Sequence, residues 1–315
     1  MSLLEVEGLT VTYASRDGPI AAVRDLDLVL ERGQTLGLIG ESGCGKSTLG
    51  KAILRILPEG TQVEGFIRFD GKNLATADED TLEGYRGRNL SMIFQDPMTR
   101  LDPLMTVRKH FIELIRAHEP DAKGAGAITR ARRALTAVRI PPDRLNQYPH
   151  EFSGGMRQRI MIALALVFNP SLLIADEPTT SLDVIVEAQI LQLLNSIKQD
   201  FDMGVLLITH NLGLVSEYAD EIAVMYAGRI AERGRVEDVF AEPLHPYTKG
   251  LLESVIGLET TALKSIPGQP PDLLNPPSGC PFHPRCPAAM DVCSTAFPPT
   301  THPRVGRDVA CYLYP

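Results

Sequence analysis

Gly40-Glu-Ser-Gly-Cys-Gly-Lys-Ser-Thr48 is the stretch that decides the fold of this chain, because it is a complete Walker A loop. It follows the apolar run Thr35-Leu-Gly-Leu-Ile39, which is typical of a buried strand, and it precedes Ser47 to Leu57, whose apolar positions suit a helix. A strand, a glycine-rich turn and a helix form the context in which this motif holds a triphosphate. The sequence therefore predicts an α/β fold that binds a nucleoside triphosphate.

The residue types of this loop suit phosphate binding. Its glycines let consecutive backbone N–H groups turn toward phosphate oxygens, and the start of the following helix adds a positive dipole end. Lys46 is predicted to reach the β- and γ-phosphates, and the Ser47 hydroxyl to bind Mg²⁺. Cys44 is interpreted as a small filler within the loop. The predicted nucleotide-binding residues of the loop are Gly40, Ser42, Gly43, Cys44, Gly45, Lys46, Ser47 and Thr48.

A second apolar run ends in paired carboxylates, in Ser171-Leu-Leu-Ile-Ala175 followed by Asp176-Glu177-Pro178. This places Asp176 at the carboxyl end of a strand, where open α/β sheets bind ligands, and predicts that it holds Mg²⁺. Glu177 is the candidate general base that would polarise an attacking water. The alternative is an acidic cap at a helix start, and the Walker A loop upstream favours the metal and base roles.

Phe152-Ser-Gly-Gly-Met-Arg-Gln-Arg159 resembles the signature loop of the ATP-binding cassette (ABC) ATPases. Further stretches resemble other motifs of that family in the family's order. They are Tyr13 for the aromatic that stacks on adenine, Gln95 for the Q-loop, Ser181-Leu182-Asp183 for the D-loop and His210 for the switch histidine. Phe152 and Met156 depart from the Leu and Gln of the general family, and this variant resembles its peptide-importer branch.

The resemblance implies a role for each matching residue. Gln95 would contact Mg²⁺ or the attacking water, and His210 would stabilise the charge that builds on the γ-phosphate. Ser153, Gly154 and Gly155 would contact ATP bound on an opposite subunit, so that two cassettes sandwich the nucleotide. The implied catalytic residues are Lys46, Gln95, Glu177 and His210, and the implied Mg²⁺ residues are Ser47, Gln95 and Asp176.

The predicted fold class is an α/β P-loop NTPase of the ABC type. It would combine a RecA-like core with an antiparallel β subdomain and a helical subdomain at about residues 97–168 that carries the signature loop. The helical patterns in this subdomain include Val107 to Ala117 and Thr129 to Val138. Alternation of apolar and polar residues between 3 and 40 favours antiparallel strands, and residues 171–234 alternate between strand and helix patterns. We predict a nucleotide-binding domain at 1–242 and a small proline- and cysteine-rich extension at 243–315.

Composition excludes several other classes of protein. The net charge of −8 gives no general attraction to nucleic acid. The longest apolar run, Ile160 to Phe168, falls far short of the roughly 20 residues that span a bilayer, and the first residues lack the pattern of a secretion signal. The chain is therefore expected to be soluble and to reach a membrane only by docking on it.

The last part of the chain differs in composition from the rest, since half of the 24 prolines lie beyond residue 256. The preceding block, Pro243-Leu-His-Pro-Tyr-Thr-Lys-Gly-Leu-Leu252, resembles the start of the C-terminal extension of oligopeptide and dipeptide importer ATPases, a branch that includes nickel importers. This resemblance covers roughly residues 243–311 and favours a transport function.

Four of the five cysteines lie in this extension, at Cys280, Cys286, Cys293 and Cys311. They lack the paired C-x₂-C spacing of common zinc sites, and two of them precede proline, as one cysteine does in bacterial ferredoxins. A segment with so little apolar sequence suggests that a metal replaces a core. We expect a [4Fe–4S] cluster. Zinc, with His283 or His302 as substitute ligands, and metal-free thiols stay open as alternatives.

The leading hypothesis is the ATP-hydrolysing subunit of an importer that takes up di- or oligopeptides. It would sit at the cytoplasmic face of the inner membrane on two transmembrane permease subunits, beside a second, related cassette chain, and would be served indirectly by an extracytoplasmic peptide-binding protein. Alternatives are a nickel importer, a soluble cassette that works without a transporter, and a module that uses ATP only as a clamp. Cargo and the identity of the second cassette stay open at this point.

Overall fold

A computed structural model describes residues 2–95, 100–122, 124–179, 184–254 and 265–314. Its strands are β1 (Ser2–Tyr13), β2 (Ile20–Glu31), β3 (Thr35–Ile39), β4 (Gln62–Phe69), β5 (Lys72–Asn73), β6 (Leu90–Ile93), β7 (Leu172–Asp176), β8 (Gly204–Ile208), β9 (Glu221–Tyr226), β10 (Arg229–Arg235), β11 (Thr301–Arg304) and β12 (Arg307–Val309). Its helices are α1 (Lys46–Ile53), α2 (Glu79–Tyr85), α3 (Val107–His118), α4 (Gly124–Ala137), α5 (Gly154–Leu166), α6 (Val184–Phe201), α7 (Leu212–Tyr218), α8 (Val236–Ala241) and α9 (Pro246–Glu253).

The chain divides into two compact units, one formed by residues 1–76 and 207–315 and the other by residues 77–206. In the first unit, the antiparallel sheet has the strand order β2-β1-β4-β5. Buried and less buried residues alternate along β1 and β2, since one face of each strand packs inward. The antiparallel strands predicted between residues 3 and 40 are therefore confirmed for β1 and β2.

The first unit also contains a mixed sheet built around β3, whose five residues are all buried. β3 pairs in parallel with β9, β10 pairs antiparallel with both β9 and β12, and β11 pairs with β12. Side chains of β9, α8 and α9 pack with Phe282 into one apolar cluster beside this sheet. This cluster includes Ile39, the last residue of β3 before the Walker A loop, and it therefore connects that strand with the C-terminal region.

The helix after the Walker A loop is shorter than predicted. It begins at Lys46 and ends at Ile53, whereas the apolar pattern continues to Leu57. Arg55 takes a left-handed backbone conformation with φ of 50°, and the Ile56 N–H donates to Lys51 O at 3.0 Å, which closes the helix. Pro58 further disfavours a helical residue before it.

The second unit combines a pair of parallel strands with a group of helices. β6 and β7 pair in parallel, with Leu90 opposite Leu172 and Ile93 opposite Ala175. α3, α4 and α5 pack on one another, and the described residues between 100 and 168 contain no strand. The helical character predicted for this part of the sequence is confirmed.

The C-terminal part of the first unit has little regular structure. Residues 265–314 contain two short 3₁₀ helices (His283–Arg285 and Asp291–Ser294) besides β11 and β12. The predicted domain boundary at residue 243 falls between α8 and α9 and stays a prediction. None of the helices in the described part of the chain is both long enough and apolar enough to span a membrane.

Candidate functional site

The Walker A loop runs from the end of β3 into α1, as its sequence context predicts. A Cβ on Gly40 would lie 2.2 Å from Met225 O, and one on Gly45 would lie 2.2 Å from Ala22 O, so only glycine fits at either position. Gly45 also has a φ of 111°, which other residues rarely adopt. It precedes α1, and no side chain caps this helix start. The first turn of α1 can therefore present its backbone N–H groups to an anion.

Lys46 is buried within this loop, and its ammonium group is held by backbone carbonyls. Its Nζ donates to Gly40 O at 2.8 Å and to Glu41 O at 3.0 Å. Cys44 is also buried, and burial raises the pKa of its thiol, which agrees with its interpretation as a small filler. Ser42 and Gly43 are exposed, and Ser47 and Thr48 are half-buried. The loop thus places one cation beside a turn of backbone N–H groups.

Two more predicted site residues belong to the first unit. The Tyr13 hydroxyl donates to Thr48 Oγ1 at 3.2 Å, so the predicted base-stacking residue lies next to the predicted phosphate-binding residue. His210 is exposed and directly follows the buried Thr209, whose N–H donates to Leu38 O on β3 at 3.3 Å. Asn211 then caps α7 by accepting from Gly213 N and Leu214 N. His210 is therefore fixed between the end of β8 and a capped helix start.

The second unit brings together three predicted residues at the ends of β6 and β7. Asp176 is buried at the last position of β7, and Glu177 follows with a φ of 47°. Gln95 Nε2 donates to Glu177 Oε2 at 3.1 Å. The parallel register, with Ile93 opposite Ala175, brings the carboxyl ends of the two strands to the same edge. Asp176 is thus at a strand end, as predicted, and not at a helix cap.

The signature stretch begins α5 in the same unit. The Ser153 side chain caps this helix by accepting a hydrogen bond from Met156 N at 3.4 Å. Ser153 and Gly154 are exposed and Gly155 is half-buried. Sequence reasoning missed Gln158, which is buried and whose Nε2 donates to Pro178 O just after Glu177. That contact ties the signature helix to the segment carrying Glu177. Ser181–Asp183, the predicted D-loop, lies outside the described residues.

The four cysteines of the C-terminal region line one small cavity of about 20 Å³. Three sulfurs take a hydrogen bond from the backbone two residues further along the chain, Cys280 from Phe282, Cys286 from Ala288 and Cys311 from Leu313. The Met290 N–H lies 3.5 Å from the fourth sulfur, that of Cys293, and donates to it. At Cys280, Cys286 and Cys311 these backbone hydrogen bonds favour the thiolate form and so act against the effect of burial on the pKa.

As free thiols, Cys280, Cys286 and Cys311 would hold their protons tightly. Burial raises the pKa of Cys280 to about 11 and raises the pKa values of Cys286 and Cys311. Among the residues that the structure describes, no three His, Cys, Asp or Glu side chains converge closely enough to hold a single metal ion. His283 borders the cavity, whereas His302 is exposed and has its Nδ1 2.7 Å from Asp308 Oδ1.

A contact between the C-terminal region and the Walker A loop was also missed from the sequence. Arg285 forms a bidentate ion pair with Glu41, and the hydroxyl of Tyr247 accepts a hydrogen bond from the Glu41 N–H. Tyr247 stands in the block that marks the extension, but no motif links it or Arg285 to the loop. Only the fold brings them together.

Comparison with protein families gives two matches. Residues 23–180 match the family described as ABC transporter, and residues 231–293 match the family described as oligopeptide/dipeptide transporter, C-terminal region. The second match includes the block from Pro243 to Leu252 and three of the four cysteines of the extension.

Curated relatives are similar over nearly the whole chain. The oligopeptide transport ATP-binding protein OppD of Salmonella typhimurium is 48% identical over 314 residues, which cover 98% of this chain and 93% of the relative. The dipeptide transport ATP-binding protein DppD of Bacillus subtilis is 46% identical over 316 residues, which cover 99% of this chain and 94% of the relative.

Solved structures share the cassette fold. A dimeric ATP-binding cassette in a post-hydrolysis state, bound to ADP and Pi, has a TM-score of 0.65 at 27% identity and covers 74% of this chain and 98% of its own. The protein cbiO1, part of the ABC transporter complex cbiONQ from Clostridium perfringens, has a TM-score of 0.65 at 28% identity. The match covers 76% of this chain and 91% of that protein.

Proposed function

Because this chain belongs to the ABC transporter family of ATP-binding proteins, we propose that it is the ATP-hydrolysing subunit of an importer that takes up di- or oligopeptides. One observation carries the proposal: the similarity to oligopeptide and dipeptide transport ATP-binding proteins extends through both the cassette and the C-terminal region. That C-terminal region is not expected in a soluble cassette that works without a transporter. Nickel uptake stays the alternative within the same branch, and the relatives' names favour peptides.

In the first unit, we assign nucleotide binding to the Walker A loop and its neighbours. Lys46, held beside the Gly40 and Glu41 carbonyls, would also contact phosphate oxygens and so neutralise part of their charge. Tyr13 would stack on the base, and Ser47 would contribute its hydroxyl to Mg²⁺. His210 would donate toward the charge that develops on the γ-phosphate.

In the second unit, we assign water activation to Glu177. A water oxygen attacks the γ-phosphorus, the bond to the β-phosphate oxygen breaks, and the water's proton passes to the Glu177 carboxylate. The hydrogen bond from Gln95 fixes the orientation of that carboxylate. Asp176 would hold Mg²⁺, which offsets phosphate charge when it is bound.

We propose that hydrolysis needs a second cassette, most simply a related chain. The support is the exposed start of α5, where Ser153 and Gly154 are open to contact another molecule, together with the dimeric state of a cassette of the same fold. Two permease subunits would carry the pair at the cytoplasmic face of the membrane, and an extracytoplasmic binding protein would deliver the cargo. Each closure of the pair on ATP would then drive the permeases.

The direct test is ATP-driven peptide uptake into vesicles that contain the assembled transporter. Glu177→Gln should reduce ATP hydrolysis at this site by at least about a hundredfold, because the base is lost, while ATP still binds. Glu237→Gln, which changes an exposed carboxylate in the first unit, is the matched control and should transport normally. Full hydrolysis and uptake by Glu177→Gln would contradict the assigned base.

We further propose that Cys280, Cys286, Cys293 and Cys311 hold a [4Fe–4S] cluster. A cluster distributes its thiolates over four irons, so the sulfurs need not converge on one point as they would around zinc. The backbone N–H groups directed at the sulfurs support thiolate ligands. When bound, the cluster would cross-link four segments of a region with little core of its own.

Anaerobic purification tests this assignment. The protein should absorb near 400 nm and contain about four irons per chain, and Cys293→Ser should lower both signals. Cys44→Ser is the control, since Cys44 lies in the Walker A loop and should leave the iron content unchanged. A colourless preparation with stoichiometric zinc, or with no metal, would contradict the cluster.

A further inference from the structure

Two residues of the C-terminal region fix Glu41, the second residue of the Walker A loop. Arg285 Nη1 and Nη2 donate to the two carboxylate oxygens of Glu41 at 2.7 and 2.9 Å. The Tyr247 hydroxyl accepts a hydrogen bond from the Glu41 N–H at 3.0 Å. Both the side chain and the backbone of this loop residue are therefore held from outside the nucleotide-binding motif.

The Arg285 guanidinium is itself held in place. Its side chain is only 6% exposed, its Nε donates to Pro267 O at 2.8 Å, and its Nη1 donates to the Tyr226 hydroxyl at 3.1 Å. A bidentate pair made by a buried guanidinium has one favourable geometry, unlike the mobile ion pairs of protein surfaces. The position of the Glu41 carboxylate is thus set by the fold of the C-terminal region.

Tyr247 is equally rigid. Its side chain is completely buried and packs against Tyr226 and Phe282, with ring centroids 4.5 and 5.4 Å away. Phe282 stands two residues after Cys280, and Arg285 stands next to Cys286. The segment that reaches the Walker A loop is therefore the same segment that supplies two of the four thiols.

Glu41 is the point where this contact meets the phosphate-binding lysine. Its carbonyl oxygen accepts the hydrogen bond from Lys46 Nζ at 3.0 Å, beside that of Gly40 at 2.8 Å. Glu41 also begins the turn that continues through Ser42 and Gly43 to the start of α1. A displacement of Glu41 would move the carbonyl that orients Lys46 and the turn that presents N–H groups to phosphate. Phosphate binding depends steeply on such positions.

We propose that Arg285 and Tyr247 are positioning residues for nucleotide binding, and that the C-terminal region of this chain holds the Walker A loop in its phosphate-binding form. This inference rests on the proposed ATP site, since it assigns a further role at that site. It makes nucleotide affinity a property of the cassette and the C-terminal region together, although neither Arg285 nor Tyr247 belongs to a nucleotide-binding motif.

Titration of the full-length protein with MgADP tests the proposal. Arg285→Gln should weaken binding by about tenfold, in line with other residues that orient a ligand-binding group. Arg304→Gln is the matched control, because Arg304 forms a bidentate but exposed pair with Glu242 in the same region. It should bind MgADP within about twofold of the unaltered chain. Arg285→Lys keeps the positive charge but cannot form the bidentate pair. Its affinity for MgADP should lie between those of Arg285→Gln and Arg304→Gln.

Two further measurements separate positioning from general folding. Amide hydrogen exchange should rise in the peptide covering residues 36–50 of Arg285→Gln and stay unchanged in Arg304→Gln. In a Glu41→Gln background, Arg285→Gln should weaken MgADP binding little further, since the ion pair is already broken. Unchanged affinity and exchange in Arg285→Gln, or an undiminished effect without the Glu41 carboxylate, would overturn the proposal. Failure of the unaltered chain to bind MgADP would instead contradict the proposed function.

Discussion

At the scale of single residues, Glu177 shows how a reactive side chain is held in place. It lies in the left-handed region with φ of 47°, a conformation that costs a non-glycine residue on the order of 1 kcal/mol or more. Its carboxylate accepts a hydrogen bond from Gln95 Nε2 at 3.1 Å. Such strain persists where neighbours determine the conformation, and here both the backbone and the carboxylate of Glu177 are constrained. The amide side chain of Gln95 therefore helps to orient the proposed base.

We expect Gln95→Ala to lower kcat for ATP hydrolysis by about tenfold, because the Glu177 carboxylate loses the donor that orients it. The KM for ATP should stay within about threefold, since the Walker A loop is untouched. Steady-state hydrolysis by the assembled transporter measures both constants. Gln189→Ala is the control, as Gln189 is an exposed residue of the same unit that contacts Arg159. A higher KM with unchanged kcat would mean that Gln95 binds nucleotide and does not position the base.

The positions of site residues that belong to a short sequence motif could be predicted from the sequence. The glycines of the Walker A loop and Asp176 at its strand end lie where the motifs place them, because a motif and its neighbours in the chain determine these positions. The ion pair between Glu41 and Arg285 could not be predicted in this way. The two residues are 244 positions apart, and no periodicity or spacing connects them.

At the scale of helices and strands, predictions succeeded where a local signal marks an end. α3 begins at the predicted Val107 because Thr106 caps it and accepts a hydrogen bond from Lys109 N at 3.3 Å. α4 begins at Gly124, five residues before the predicted Thr129, because Gly124 and Gly126 have low helix propensity and so hide this start in the sequence. The end of α1 depends on the left-handed backbone of Arg55, which the apolar pattern does not reveal.

The helical part of the second unit contains a bidentate ion pair whose effect should depend on pH. Arg130 of α4 donates to both carboxylate oxygens of Glu119, the residue after α3, at 2.9 and 2.7 Å. These hydrogen bonds lower the pKa of Glu119 below its ordinary value of 4.5. The pair therefore adds stability above about pH 4.5, and this contribution is lost as the pH falls through the lowered pKa.

Arg130→Gln should thus reduce the free energy of unfolding at neutral pH by less than about 1 kcal/mol, because the pair is close to solvent. The difference from the unaltered chain should shrink as the pH falls below 4.5 and through the lowered pKa of Glu119. Chemical unfolding at several pH values measures it. Arg132→Gln, which removes another exposed arginine of α4, should show no such pH dependence. A difference that stays constant with pH would rule out the charged pair as its cause.

At the scale of the whole molecule, buried polar groups act together with the apolar cluster around Phe282 to hold the C-terminal region to the rest of the first unit. Glu232 on β10 is fully buried, accepts the N–H groups of Leu244 and His245 at 2.9 Å each, and pairs with the buried Arg307 of β12. Composition predicts a small region with four grouped cysteines, but these contacts depend on the complete fold.

The buried pair should be the most sensitive contact in this region. Arg307→Met should lower stability by about 3–5 kcal/mol, because it leaves the Glu232 carboxylate buried with only backbone donors. Arg304→Met, which breaks the exposed pair with Glu242, should change stability far less, because solvent screens that pair. Thermal unfolding of the full chain, handled anaerobically, compares the two. Replacing Glu232 with Met as well should recover much of the loss, since no unpaired charge then remains inside. Equal, small shifts for Arg307→Met and Arg304→Met would mean that water reaches Glu232 and that the C-terminal strand is held by other contacts.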